Sequence, residues 1–118
     1  MRRNLEPIEL ARTVVDALVD KKAEDILLMD ISTISSFADF FVICSGTSDR
    51  MLNALADAVH ERAKETYRLN ARLEGLPRDG WMVADLGDVV VHLFSPDRRS
   101  FYDLEELWAE GKVLLHLQ

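Results

Sequence analysis

Residues 40–48 have the sequence FFVICSGTS, an apolar run that ends in a small polar turn. The segment Phe40–Ser45 is apolar at successive positions, and this pattern is typical of a central strand that is buried on both faces. Gly46 then provides a turn, and Thr47 or Ser48 is a suitable N-cap for a helix behind it. A buried strand that runs into a helix is expected in a layered α/β domain.

Hydrophobic periodicity on both sides of this stretch predicts the remaining elements. In chain order they are a helix that starts at Pro7, strands at 25–31 and 40–45, a helix that follows Ser48, a loop at 69–80 with a short strand around 71–73, strands at 81–85 and 88–94, and a helix at about 97–110. We therefore expect one domain over residues 1–118. Its class is α/β with α+β character, and helices flank a mixed sheet.

The C-terminal part of the chain predicts a helix and a tail. Four apolar residues recur at helical spacing and predict one face that packs on the sheet: Phe101, Leu104, Leu107 and Trp108. Gly111 can end this helix. The tail 112–118 (KVLLHLQ) alternates apolar residues. It can pair as an edge strand, on this sheet or in a dimer, or lie on the surface.

Composition and charge restrict the function. A chain with 48% hydrophobic and 30% charged residues is an ordinary globular protein, and one cysteine cannot form an internal disulfide. No signal peptide or membrane helix is predicted, so the expected location is the cytoplasm. The net charge of −7 opposes direct binding to nucleic acid. Residues 74–110 carry nine acids and three bases. Such a face suits a basic protein partner, and on charge alone a solubilising surface fits equally well.

Few residues point to catalysis. The histidines His60, His92 and His116 fall on separate elements and lack the spacing of zinc ligands. His92 lies in an apolar strand, where we expect a structural, hydrogen-bonded side chain, and Cys44 is expected to be an inert core thiol. There is no Walker A lysine, dinucleotide fingerprint or nucleophile elbow. We predict no catalytic residue, metal or cofactor.

One pattern nevertheless favours an enzyme that binds nucleotide and metal. The turn at Gly46 could hold an anion at a helix N-terminus, and Asp85 and Asp88 could bind a metal. Nucleotidyltransferases combine such a turn with two acids that are two residues apart on one strand and point the same way. Here the acids are three apart across a turn. This spacing and direction are wrong for two acids that share one metal, so a nucleotidyltransferase-like enzyme is the alternative interpretation rather than the leading one.

The link between the last two strands predicts a contact surface. The turn 85–88 requires a positive φ at Gly87 and places Leu86 at its exposed corner. Trp81 and Met82 begin the same hairpin, so we expect a tip that carries Trp81 and Leu86 inside an acidic rim. Trp81 could instead be a core aromatic under the last helix. The same two residues could also form the self-interface of a dimeric adaptor.

Four runs of the sequence together resemble the ribosomal silencing factor family, also called the Iojap family. They are 38–48 (ADFFVICSGTS), 74–75 (EG), 81–94 (WMVADLGDVVVHLF) and 99–108 (RSFYDLEELW). The runs occur in the family's order and extend through nearly the whole chain. The tail 112–118 lies outside the shared motif.

This resemblance implies a cytoplasmic factor without enzymatic activity, whose fold is related to nucleotidyltransferases but lacks their catalytic acids. Members of the family bind the large ribosomal subunit at its intersubunit face through its protein number fourteen. They block joining of the small subunit, repress translation under nutrient limitation, and are commonly homodimers off the ribosome. Carried over by position, the contact residues are Trp81, Met82, Asp85, Leu86, Gly87 and Asp88.

Overall fold

Six strands form one mixed sheet in the computed structural model, which describes residues 6–118. The strands are β1 (Glu24–Asp30), β2 (Phe40–Ser45), β3 (Arg72–Glu74), β4 (Trp81–Asp85), β5 (Val89–Phe94) and β6 (Lys112–Leu117). The helices are α1 (Pro7–Asp20), α2 (Asp49–Tyr67), α3 (Pro96–Tyr102) and α4 (Leu104–Leu107), with a 3-10 turn at Pro77–Asp79. The strand order is β3-β4-β5-β2-β1-β6, in which only β2 and β5 pair in parallel. The predicted α/β class with a mixed sheet is confirmed.

The centre of the sheet is β2, as its apolar run predicts. All six of its residues are buried, and it pairs with β1 on one side and β5 on the other. Helix α2 follows directly because the Ser48 hydroxyl accepts a hydrogen bond from the Met51 N–H at 3.0 Å, which confirms the predicted N-cap. Helices α1 and α2 bury their apolar stripes against the same sheet face. No helix within residues 6–118 has the length and apolar content needed to cross a membrane.

The opposite sheet face is covered less completely, and here the predicted single helix is wrong. The segment divides at Asp103, whose φ is +47°, into α3 and the one-turn α4. The predicted apolar face divides with it. Leu104 is buried in the second core cluster, whereas Phe101 is 72% exposed and Leu107 is 74% exposed. An αL residue inside the segment rotates the two halves relative to each other, so one stripe cannot pack throughout.

The buried Arg99 bridges this break. Its Nη1 donates to the Asp25 carbonyl at 2.6 Å and to the Ser45 hydroxyl at 2.9 Å. Its Nε donates to Glu105 Oε2 at 2.9 Å, and Glu105 lies beyond the break. The change of direction at Asp103 therefore accompanies an ion pair that a continuous helix would not form, since residues six apart lie on different sides of a helix. This network attaches α3 and α4 to the ends of β1 and β2.

We expect Arg99→Leu to lower the free energy of unfolding by about 2 kcal/mol, because it removes charge-assisted hydrogen bonds and the ion pairs with the carboxylates of Glu105 at 2.9 Å and Asp25 at 3.6 Å. The effect stays below that of a fully buried pair because the Asp25 and Glu105 side chains are 50% and 32% exposed. Urea unfolding at neutral pH measures the change. The exposed Arg98→Leu is the matched control, and equal losses in the two variants would contradict this role of Arg99.

The tail forms the sixth strand, so pairing on this sheet is the alternative that the protein adopts. β6 runs antiparallel to β1, with Leu115 opposite Leu28 and His116 opposite Leu27. His116 Nε2 lies 2.5 Å from Asp25 Oδ1, which links the strand to the Arg99 network. β6 is therefore an integral edge of the sheet.

Candidate partner-binding surface

The six residues predicted to contact a partner lie on the β4–β5 hairpin but do not share its tip. Trp81 is opposite Phe94 at one end of the hairpin, whereas residues 86–88 form the turn at the other end. Four strand positions separate Trp81 from Asp85, a span of roughly 13 Å. The predicted tip that carries both Trp81 and Leu86 is therefore wrong.

Alternation along β4 also places the predicted residues on different sheet faces. Trp81 packs on the second core cluster, under α3 and α4, whereas Leu86 packs on the cluster below α1 and α2. Met82 is only 6% exposed and lies in the core on the helix side. Trp81 and Leu86, the two apolar residues expected on the surface, are both half-buried. They lie at opposite ends and on opposite faces of the hairpin.

The hairpin turn is built as its sequence predicts. Gly87 has a φ of +90°, which glycine adopts without the steric strain of a Cβ atom. The Asp85 carboxylate accepts a hydrogen bond from the Gly87 N–H at 2.8 Å, so this acid holds its own turn. The Asp88 carbonyl accepts from the N–H groups of Asp39 and Phe40 at 2.8 and 3.0 Å, which joins the turn to the start of β2.

This geometry does not favour the enzyme interpretation. Gly46 lies beyond the carboxyl end of β2, where its N–H donates to the Phe94 carbonyl. Asp85 and Asp88 lie at the amino end of the same parallel pair, so roughly 15–20 Å of strand separates them from the turn. Within residues 6–118, no cluster of three or more His, Cys, Asp or Glu side chains is arranged to hold a metal ion.

A set of partly exposed rings covers the sheet face on which Trp81 lies. We call Phe37, Trp81, Phe101, Tyr102 and Trp108 the aromatic face. The Trp81 ring is stacked on Phe94 at 5.1 Å and lies 4.5 Å from Tyr102, measured between centroids. Phe37 and Trp108 contact each other at 5.8 Å, and the buried rings of Phe41 and His92 connect them to Trp81. The aromatic face is thus one continuous series of ring contacts.

Acidic residues occur in the same segment as part of the aromatic face. The segment that carries Phe101, Tyr102 and Trp108 also contributes four acids, namely Asp103, Glu105, Glu106 and Glu110. Glu105 is engaged by Arg99, and the other three are exposed. The sequence predicted an acidic C-terminal half but not that exposed rings would lie in the same segment as its acids. Exposed apolar rings close in sequence to exposed charges are compatible with a protein–protein interface, which combines an apolar centre with polar surroundings.

His92 is held inside this face. The indole Nε1–H of Trp81 donates to His92 Nδ1 at 3.2 Å, which confirms the predicted structural, hydrogen-bonded histidine. Burial lowers the pKa of His92 to about 4, so the ring is neutral at physiological pH. Cys44 lies on the other side of the sheet, and burial raises the pKa of its thiol to about 12. The reactive thiolate is therefore not formed at physiological pH.

Sequence reasoning missed Phe37 and the exposure of Phe101. Phe37 is 59% exposed and lies in the segment between β1 and β2, where no periodicity marked it. Phe101 matched a helical stripe, and the break at Asp103 removed it from the core. The bond between Trp81 and His92 was open to prediction. In an antiparallel hairpin, pairing Trp81 with Phe94 makes His92 a diagonal neighbour of Trp81.

Comparisons with known proteins agree on one family. A family model described as "Ribosomal silencing factor during starvation" matches residues 4–117. The Ribosomal silencing factor RsfS of Bacillus subtilis is 46% identical over 94 residues, which is 80% of each chain. The Mus musculus "Mitochondrial assembly of ribosomal large subunit protein 1" is 37% identical over 80% of this chain and 43% of its own length. A crystal structure of a Chromobacterium violaceum protein superposes with a TM-score of 0.85 at 35% identity, and covers 89% of this chain and 88% of that one.

Proposed function

Because the chain belongs to the ribosomal silencing factor family, we propose that it binds the large ribosomal subunit at its intersubunit face and sterically blocks joining of the small subunit. The result is repression of translation when nutrients are limited. The family description refers to starvation, and the mouse relative is named for assembly of the large ribosomal subunit, which supports this partner. The protein acts in the cytoplasm, in this proposal, and as a homodimer when it is off the ribosome.

The observation that carries this proposal is the aromatic face, part of which lies in an acidic segment. Half-buried and exposed rings on one sheet face supply apolar contact area, and the indole of Trp81 is the type of anchor that dominates interface energies. Ribosomal proteins are generally basic, so a chain of net charge −7 would approach one quickly and in a favoured orientation. These features fit a protein partner, and we propose protein number fourteen of the large subunit.

We propose that Trp81, Asp85, Leu86, Gly87 and Asp88 make the contact, as the family resemblance implies. Since Trp81 and Leu86 lie at opposite ends and on opposite faces of the hairpin, a partner that contacts both must reach from the face of Trp81 around the turn to Leu86. Met82 faces the core, so its contribution is to support the strand from behind.

Blocking subunit joining requires no catalysis. A bound domain needs only to occupy the space in which the two subunits make their bridging contacts. The neutral His92, the inert thiol of Cys44 and the use of Asp85 in its own turn are consistent with this. We therefore propose that the protein is not an enzyme and needs no metal or cofactor.

Sedimentation of purified ribosomal subunits tests the proposal. We expect the protein to co-sediment with large subunits and to lower the yield of joined ribosomes when small subunits are added. If it binds neither subunit and joining proceeds normally, the proposal is wrong. Equilibrium titration with nucleotide and Mg²⁺ would then be the next measurement, because the alternative enzyme requires that binding.

Removing the two hairpin charges should slow association. We expect Asp85→Asn together with Asp88→Asn to lower the association rate with large subunits by roughly two- to fivefold at low salt, with little change in dissociation. Asparagine keeps the oxygen that holds Gly87, so the turn is preserved. Stopped-flow binding at two salt concentrations measures the rates.

The matched control removes the same charge elsewhere. Asp16 and Asp57 are exposed on α1 and α2, on the other side of the sheet. If Asp16→Asn with Asp57→Asn slows association as much as the hairpin variant, then only net charge matters and the two hairpin acids have no directional role.

A further inference from the structure

We infer that His92 is a positioning residue for partner binding, whose Nδ1 fixes the indole of Trp81 in the orientation that the partner contacts. This inference rests on the proposed function, because it assumes that Trp81 is an anchor. It adds a buried residue that lies behind the contact surface and does not touch the partner itself.

The hairpin register brings the two rings together. Trp81 pairs with Phe94, and Val83 pairs with His92, so His92 is the diagonal neighbour of Trp81 on the same sheet face. The indole Nε1–H donates to His92 Nδ1 at 3.2 Å. The Trp81 ring is also stacked on Phe94 and contacts Tyr102. The hydrogen bond adds the directional contact that stacking lacks, since stacked rings can still slide or rotate.

The donor chemistry determines which form of His92 is present. An indole nitrogen only donates, so His92 Nδ1 must be the unprotonated acceptor, and the neutral ring carries its proton on Nε2. That Nε2 is buried and has no hydrogen-bond partner among the described residues. A protein rarely leaves a buried donor unsatisfied, and an apolar residue in β5 would avoid the problem. The orphaned Nε2 is thus the consequence of keeping an acceptor at Nδ1.

A fixed indole favours binding because less side-chain freedom is lost when the partner docks. His92 is 7% exposed and lies beneath the rings, so its effect on the partner must pass through Trp81. Without the hydrogen bond, we expect the affinity for large subunits to fall by roughly 3- to 10-fold, as expected for one neutral hydrogen bond.

Three substitutions separate positioning from packing. The amide oxygen of His92→Asn occupies the place of Nδ1 and keeps the acceptor, whereas the longer His92→Gln places it near Nε2. His92→Leu has no acceptor. The readouts are the affinity for large subunits and the ¹⁵N NMR spectrum of the indoles, with Trp108→Phe used to assign the Trp81 signal. In the unsubstituted protein, a scalar coupling between Trp81 Nε1 and His92 Nδ1 reports the bond directly.

We expect that coupling to be present. We expect His92→Asn to bind large subunits within about twofold of the unsubstituted protein. His92→Gln and His92→Leu should lose roughly 3- to 10-fold in affinity and shift the Trp81 resonance. If His92→Leu does not fold, the Asn and Gln pair decides. Equal binding by all three variants, or equal losses in all three, would overturn the inference, because position of the acceptor would then be irrelevant. Failure of the unsubstituted protein to bind would refute the proposed function, and absence of the coupling would refute the positioning separately.

Discussion

We expect Trp81→Ala to weaken binding to the large ribosomal subunit by roughly 30- to 1,000-fold, the usual loss when a buried tryptophan anchor is truncated. The indole joins the aromatic face to the hairpin through its contacts with Phe94 and Tyr102. Its removal eliminates apolar contact area and also leaves Tyr102 and His92 without their neighbour. Titration of labelled protein into large subunits, at one fixed ionic strength, measures the affinity.

The control for this experiment separates loss of contact from loss of stability. Leu93 is fully buried in β5, one position from the residue opposite Trp81, and its side chain faces α1 and α2. Leu93→Ala should destabilise the fold by about 2–4 kcal/mol without changing the aromatic face. Folded Leu93→Ala should therefore bind normally. If Trp81→Ala binds as well as Leu93→Ala does, then Trp81 is no anchor and the contact lies elsewhere.

Light scattering of Trp81→Ala tests whether Trp81 contacts a second copy of the protein instead of the ribosome. If the variant is monomeric while the unsubstituted protein is a dimer, then Trp81 belongs to the self-interface. An unchanged mass together with lost ribosome binding would assign it to the outside partner.

Acid should destabilise the protein through His92. Burial holds the pKa of this imidazole at about 4 in the folded protein, against 6.5 ordinarily, because the charged form is poorly solvated. Between these two values the unfolded chain binds a proton that the folded protein does not. The contribution to the free energy of unfolding is therefore complete above pH 6.5 and is lost as the pH falls to about 4, by about 3 kcal/mol.

Urea unfolding at a series of pH values, for the unsubstituted protein and for His92→Asn, measures this contribution. Asparagine does not titrate, so the variant should lose about 3 kcal/mol less stability across the same pH window. Parallel curves for the two proteins would show that the acid sensitivity comes from other groups. The comparison isolates His92 because the carboxylates are common to both proteins.

Several features were predictable because they depend on near neighbours in the sequence. The bounds of β2, the Ser48 N-cap and the positive φ of Gly87 all follow from local patterns and local donors. The wrong prediction that Trp81 and Leu86 share the hairpin tip could also have been avoided from local sequence alone. Five strand residues necessarily place Trp81 at the end opposite to Leu86, and that spacing was available from the sequence.

The divided last helix was not predictable in this way. Residues 97–110 have a continuous helical stripe, yet Asp103 adopts the αL conformation and Glu105 turns back to Arg99. Arg99 also donates to the Asp25 carbonyl, 74 residues away, and to the Ser45 hydroxyl, 54 residues away, so the divided segment is attached to remote parts of the chain. A local pattern contains no information about such distant acceptors.

Periodicity, charge and motif order belong to the chain itself, so they were enough to predict the element types, the buried central strand, the acidic C-terminal half and the family. Three further features appear in the folded protein alone: β6 pairs with β1, Arg99 bridges the divided helix, and Phe37, Trp81 and Trp108 join one aromatic face through Phe41 and His92. These three features depend on which distant segments meet when the chain closes. Burial and hydrogen bonding between such segments are set by the whole fold rather than by any single stretch of residues.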